Sequence, residues 1–167
     1  RIRPFEMLYM TRIAQLTNKS NQFNLTTKRY TQAQIEEAAQ NPACITLYGK
    51  LEDKFGDNGV VTVLIGHEEP ENEERQALHL DLWLMSCRVL KRDMEYAMMD
   101  VLVEKCVERG IRTIYGYYYP TAKNGMVRDF YGLQGFEKIR ENEKETVWRF
   151  EIPENYEKKN HYIETLK

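Results

Sequence analysis

The chain has 167 residues, 42% of them apolar, with 24 basic and 26 acidic side chains and a formal charge of −2. That length calls for a single domain around one sizeable core, and the interspersed, near-balanced charge argues against a nucleic-acid or membrane partner. No apolar run approaches the roughly 20 residues that span a bilayer.

Residues 4–20 read as a short strand entry followed by a helix, with Phe5, Leu8, Ile13 and Leu16 at roughly helical spacing. The stretch from Asn18 to Thr31 piles up Asn, Thr and Ser without a period and reads as a loop carrying recognition groups. Thr31 then caps a second helix, TQAQIEEAAQ, which must stop before Pro42. CITLYGKLED and VVTVLIGHEE read as a β-hairpin turning through KFGDNG, whose Gly and Asn residues tolerate positive φ. The acidic loop EEPENEERQ after it reads as a solvated connection.

The block His79–Met94 is the most informative, because a buried strand runs into a cation-rich turn and then a helix. Arg88, Lys91 and Arg92 supply the cations, Asp93 is the expected N-cap, and Gly110 takes the position after the helix. Met94, Ala97, Met98, Val101, Leu102 and Val107 form its expected apolar face. A helix that opens off a strand presents unpaired N–H groups and a partial positive charge, which suits a phosphate. Beyond it, IRTIYGYYYP is a strand ending at Pro120, Lys123–Leu133 a loop and short helix stopped at Gly135, and residues 136–152 a final hairpin. Residues 1–152 thus form the domain, and 153–167 a charged peripheral tail. The tyrosine run Tyr117, Tyr118 and Tyr119 reads as strand packing, since no basic stripe accompanies it.

This order of elements resembles the GNAT acyltransferases, which implies an α+β fold (an α/β/α sandwich) with a mixed, mostly antiparallel central sheet flanked by helices. Three blocks are more specific: NQFNLTTKRYT (21–31), WLMSCRVL (83–90) and PTAKNGMVRDFYGLQGF (120–136) resemble the carboxy-terminal region of FkbH-like proteins. Members of that family join a phosphatase-like HAD domain to a GNAT-like domain and load a glyceryl unit from a phosphorylated glycerate onto an acyl carrier protein. By that resemblance the chain is the second domain alone, its HAD-like partner carried on the same parent chain, and the start at Arg1 without an initiator Met agrees with this. The implied cofactor is the phosphopantetheine of an acyl carrier protein, or acyl-CoA, with no metal.

The resemblance places the acyl-CoA site on Ser86, Arg88, Val89, Leu90, Lys91, Arg92, Asp93 and Met94. GNAT proteins usually carry Arg/Gln-x-x-Gly-x-Gly/Ala there, whereas Lys91 and Asp93 fill both glycine positions in this chain. An Asp93 cap would set its carboxylate on the N–H groups a diphosphate needs, so a carrier protein is the expected ligand rather than free coenzyme A. Asn124 matches the family's PTAKN segment and is expected either to bind the pantetheine amides or to cap a helix.

Cys87, between the strand end and a helix start, is the candidate nucleophile to hold the acyl group as a thioester, against the alternative of a small buried hydrophobe. Residues 79, 81, 83, 85 and 87 share one face of an unbroken strand, which would put His79 roughly 26 Å from Cys87 and make it a poor base. Asp81 does little better without a bulge, and His67 serves only if the fold brings it back. Tyr131 matches the tyrosine with which many GNAT enzymes protonate a departing thiolate, or it packs in the core with Phe130 and Phe136. Asn21, Gln22, Asn24 and Asp81 are candidate substrate contacts, the asparagines having turn formation as their alternative role. Cys44, Cys87 and Cys106 are odd in number without a CxxC pair, so neither a disulfide framework nor a zinc site is expected, and the compartment implied is the cytoplasm. The other classes open to this sequence are an acetyl-CoA-dependent N-acetyltransferase and a non-catalytic carrier-docking module.

Overall fold

A computed structural model describes residues 1–53, 56–86 and 93–160, without the side chains of 52, 53 and 56–58. Seven strands, β1 (Ile2–Arg3), β2 (Cys44–Asp53), β3 (Gly56–Pro70), β4 (Gln76–Met85), β5 (Thr113–Tyr118), β6 (Glu137–Glu141) and β7 (Thr146–Glu151), make one sheet in the order β1-β2-β3-β4-β5-β7-β6. Only β4 and β5 run parallel, because α3 (Met94–Glu108) crosses between them while the other strands are joined through turns or lie across an edge. This is the mixed, mostly antiparallel α/β/α sandwich implied by the sequence.

Each helix face follows from its residues. α1 (Met10–Lys19) and α2 (Gln32–Gln40) bury Ile13, Leu16 and Ile35 with Val63, Ile65, Leu82 and Leu84 on one side of the sheet. α3 and the short α4 (Phe130–Leu133) cover the other, where Met98, Leu102 and Phe130 meet Leu78, Leu80, Trp83 and Ile114. The Thr31 cap is a full capping box, with Thr31 and Gln34 exchanging side-chain and backbone bonds at 3.2 and 2.9 Å.

Several boundaries differ from expectation. Leu8 sits in a 3₁₀ turn ahead of α1 and is 81% exposed, since the α-helix proper begins only at Met10. Val107 is also exposed, the buried face of α3 passing instead through Met99, Val103 and Cys106. β3 begins at Gly56, so the ladder extends into the expected turn. In the stretch 123–133 the expected short helix is α4, and the expected loop before it contains a 3₁₀ turn (Gly125–Val127).

The tail docks over residues 153–160. The Asp100 carboxylate on α3 accepts from the Tyr156 hydroxyl (2.7 Å) and from the N–H groups of Lys159 and Asn160 (both 2.9 Å), and the Lys159 ammonium donates to the Gln134 carbonyl. One carboxylate thus holds three donors. Asp100→Ala should lower stability by about 1–2 kcal/mol and expose the strap, read as faster amide exchange at residues 159 and 160 with α3 still protected.

Candidate active site

The site is created by a parting of strands. β4 and β5 pair only along Ala77–His79 and Thr113–Tyr115, after which both continue without pairing. Just past the last pair β4 carries a bulge: Gly66 pairs with Leu80 and Ile65 with Leu82, so Asp81 is an added residue. The bulge corrects the unbroken-strand expectation. His79 and Asp81 turn toward the α1/α2 side, while Trp83 and Met85 enter the core beneath α3.

Between the parted strands lies the chain's own segment 23–26. Leu25 N–H donates to the Trp83 carbonyl (3.1 Å), Met85 N–H to the Phe23 carbonyl (3.0 Å), and the Thr26 hydroxyl to the Asp81 carbonyl (2.7 Å). On the opposite lip Tyr119 N–H donates to the Leu25 carbonyl at 2.8 Å. Asn124 locks the insert by donating to the Asn24 and Tyr119 carbonyls (3.0 and 2.9 Å) and accepting from Thr121 N–H and the Tyr118 hydroxyl (2.8 and 3.3 Å). Asn24 donates to the Ser20 carbonyl and accepts from Thr27 N–H, supporting the positive φ of Thr27. Both asparagines are fully buried, so the expected roles of Asn124 on a pantetheine arm and of Asn24 on substrate give way to this stitch.

The bulge also assembles a proton-handling cluster. His67, brought back by the β3–β4 pairing, donates from Nδ1 to Asp81 at 2.6 Å, and its Nε2 lies 3.0 Å from Glu69. Lys28 stands 3.5 Å from the other Asp81 oxygen. His79 stacks on His67 at 5.4 Å and bonds through Nδ1 to the Tyr117 hydroxyl at 2.7 Å, while Tyr115 bonds Glu71 at 2.5 Å. Burial disfavours the charged form of both histidines. At His67 the bonds and charges of Asp81 and Glu69 outweigh it and raise the pKa above 6.5, whereas burial prevails at His79 and lowers it. Glu69 and Glu71, from the stretch expected to be a solvated connection, thus bond His67 and Tyr115. His67 and Asp81 were each singled out from sequence, but their pairing and the part of Tyr117 depend on register and on a bulge that no local motif marks.

A split histidine titration follows. His67 should titrate above and His79 below the ordinary value, and Asp81→Asn should lower His67, all read from the imidazole C–H resonances. Since the folded state holds the His67 proton more tightly than the unfolded chain, its stabilisation is complete below the unfolded pKa and lost as pH rises through the folded one. His79 acts oppositely: acidification through its unfolded pKa costs stability.

At the far end of the insert opens a cleft of about 750 Å³, lined by Arg12 and Lys19 of α1, Asn21, Gln22 and Phe23, Met85 and Ser86 at the end of β4, and Lys123. Three of these side chains are cationic. Asn21, Gln22 and Ser86 thus line one cleft, and the Arg29 guanidinium holds the loop of Asn21 and Gln22 by bonding the Thr17 and Ser20 carbonyls and Asn21. Cys87, Arg88, Val89, Leu90, Lys91 and Arg92 fall outside the described residues. Asp93 corrects its expectation: it adopts a left-handed backbone (φ 60°) and makes no side-chain cap bond, so its carboxylate does not take the N–H groups of the first turn. It stands in a conformation that favours glycine, at a glycine position of the family motif. The Met94 side chain is buried in the core, leaving only its backbone for a ligand.

Tyr131 is 1% exposed, its ring over Gly116 and beside Trp83 and Phe136. Burial pushes its phenol far above the usual value, so it stays protonated, and its packing with Phe136 is the core role that was its alternative. Burial also raises Cys44, and takes Cys106 to about 12, which leaves both as poor thiolates. Among the described residues there is no cluster of His, Cys, Asp or Glu suited to a metal, and no helix long and apolar enough to cross a membrane.

A seven-stranded mostly antiparallel sheet, with its parallel strands parting beside α3, defines the GNAT acetyltransferase fold, and solved structures agree. The chain is similar to Arabidopsis thaliana NAA60 in complex with a bisubstrate analogue (TM-score 0.69, 13% identity, 91% of this chain and 97% of that one). It is also similar to the GNAT domain of S. lividans PAT (0.68, 14%, 91% and 90%) and to the ribosomal-protein-S18-alanine N-acetyltransferase from Escherichia coli (0.64, 12%, 94% and 98%). No family model and no curated protein sequence matches.

Proposed function

We propose that the chain is an acyltransferase that handles a glyceryl or related acyl thioester and passes its acyl group to the phosphopantetheine thiol of an acyl carrier protein, in the manner of FkbH-like proteins. The observation that carries this reading is the cationic cleft at the end of β4, where Arg12, Lys19 and Lys123 surround Ser86, the residue before Cys87. Such a cleft suits both the phosphate of the arm and the acidic surface typical of carrier proteins. The fit to the cofactor is partial: the cleft and a start of α3 that the Asp93 side chain does not cap suit its anionic end, while the β4 edge at 81–85 is already paired with segment 23–26.

In this reading the Cys87 thiolate attacks the acyl carbonyl and expels the donor's leaving group, and the carrier's thiolate then takes the acyl group by thioester exchange, releasing Cys87. Tyr131 is the candidate proton donor to the departing sulfur. The HAD-like domain would supply the activated acyl donor from the parent chain. A second reading, an acetyl-CoA-dependent N-acetyltransferase, is favoured by the carboxylates of Glu69, Glu71 and Asp81 around His67 and His79, which would attract an ammonium group and receive its proton. The structural neighbours whose names state N-acetyl transfer support that alternative.

Mass spectrometry after incubation with an acyl donor, the HAD-like domain and an acyl carrier separates these readings. An acyl adduct on Cys87 that chases onto the carrier supports the first. Transfer at unchanged rate in Cys87→Ser removes the covalent role, and acetylation of amines from acetyl-CoA alone favours the second.

A further inference from the structure

We propose that segment 23–26 is a permanent strand of the site rather than a displaceable loop, so that a thioester arm does not add along β4 and its phosphate is instead held in the cleft of Arg12, Lys19 and Lys123. This deepens, and rests on, the reading of the chain as a phosphopantetheine-dependent acyltransferase.

The argument starts from unpaired backbone. An extended, amide-bearing arm recognises protein most readily by joining an open strand edge, where N–H and C=O groups alternate. β3 occupies one edge of β4 along its length, and β5 occupies the other only through His79. The remaining edge is paired with the insert through the Asp81 and Trp83 carbonyls and Met85 N–H, the very groups an arm would need.

The insert is also built to stay. Asn24 and Leu25 are fully buried, Thr26 is 5% and Phe23 7% exposed, and Phe23 packs edge-on against Phe130 at 5.2 Å. Removing it would strip hydrogen bonds from both lips of the opening and return the Leu25 and Phe23 side chains to water. An entering arm would have to supply all of that before any net affinity appeared.

Ligand space therefore begins where the insert ends. Phe23 and Met85 form the floor of the cleft, and Arg12 and Lys19 reach it from the same face of α1, seven residues apart. Lys123 also lines the cleft, and the chain runs from Met85 at the end of β4 through Ser86 directly into Cys87. A single phosphate held by these cations would place its arm within reach of the strand end without entering the sheet.

The test uses the intact chain with 4′-phosphopantetheine, coenzyme A and phosphate-free pantetheine as probes. Binding by calorimetry is expected to favour the phosphorylated probes, and Arg12→Glu with Lys19→Glu, both exposed helix positions, should weaken them at least tenfold while leaving pantetheine unchanged. Amide exchange at Leu25, Met85 and Tyr119 should stay slow with phosphopantetheine bound. Faster exchange at those amides on binding would overturn the inference, as would equal affinity for pantetheine, indifference to the charge reversals, or absence of binding. Tight binding of this pattern without acyl transfer supports the inference and counts only against the proposed reaction.

Discussion

Replacing Asn124 with Ala is expected to lower stability by about 3–5 kcal/mol, because it orphans several buried groups at once. The Asn24 and Tyr119 carbonyls lose their donor and Thr121 N–H and the Tyr118 hydroxyl lose their acceptor, at a position with no solvent exposure. At about 2–4 °C per kcal/mol for a chain of this size, the thermal midpoint should fall by roughly 6–20 °C. Amide exchange should show the loss concentrated at Leu25 and Met85. Asn124→Asp keeps the shape but turns a donor into an acceptor facing two carbonyls, so it should be nearly as damaging at neutral pH and partly recover in acid as its carboxyl protonates. A drop of less than 1 °C in Asn124→Ala would mean that the insert is held by packing alone.

The second large effect is expected at Gly116. A Cβ there would lie 2.8 Å from three atoms of the Tyr131 ring. That ring cannot retreat, since Phe130 and Phe136 flank it at 5.4 and 4.9 Å and Trp83 stands at 6.1 Å. Gly116→Val should therefore destabilise by about 2–3 kcal/mol, the usual scale for forced overpacking. Because the clash belongs to a pair, Gly116→Ala combined with Tyr131→Leu should cost less than the sum of the two single changes, a coupling that denaturant unfolding of the four proteins would measure. Additive losses would show that the glycine serves some other neighbour.

Sequence patterning made most of the architecture legible because the strands are short-range features. The Gly- and Asn-containing turn KFGDNG marked the β2–β3 hairpin, the Thr31 cap marked α2, and the His79–Gly110 block marked β4 and α3. What escaped was everything set by two distant segments meeting. The Asp81 bulge is visible only against β3, yet it decides that His79 and Trp83 face opposite ways. Asn24 reads as a ligand contact from its polar loop, with turn formation as the alternative, and Asn124 from its match to the PTAKN segment; the bond from the Asn124 side chain to the Asn24 carbonyl, one hundred residues away, shows them as structural clamps. The basic cleft escaped for a similar reason, its cations coming from α1 and from the loop after β5, neither unusual alone. Asp93 was read by its residue type as a cap, and its left-handed backbone denies it that role.

Asp81 stands outside the alternation of β4. With it left out, His79, Leu82 and Leu84 on one side and Leu80, Trp83 and Met85 on the other would follow a regular two-residue repeat. Its excision would leave each apolar neighbour facing the layer it faces now, yet would erase the carboxylate on which His67 and Lys28 converge. Packing therefore does not demand this residue, whereas the His67 bond and the Lys28 contact depend on it entirely.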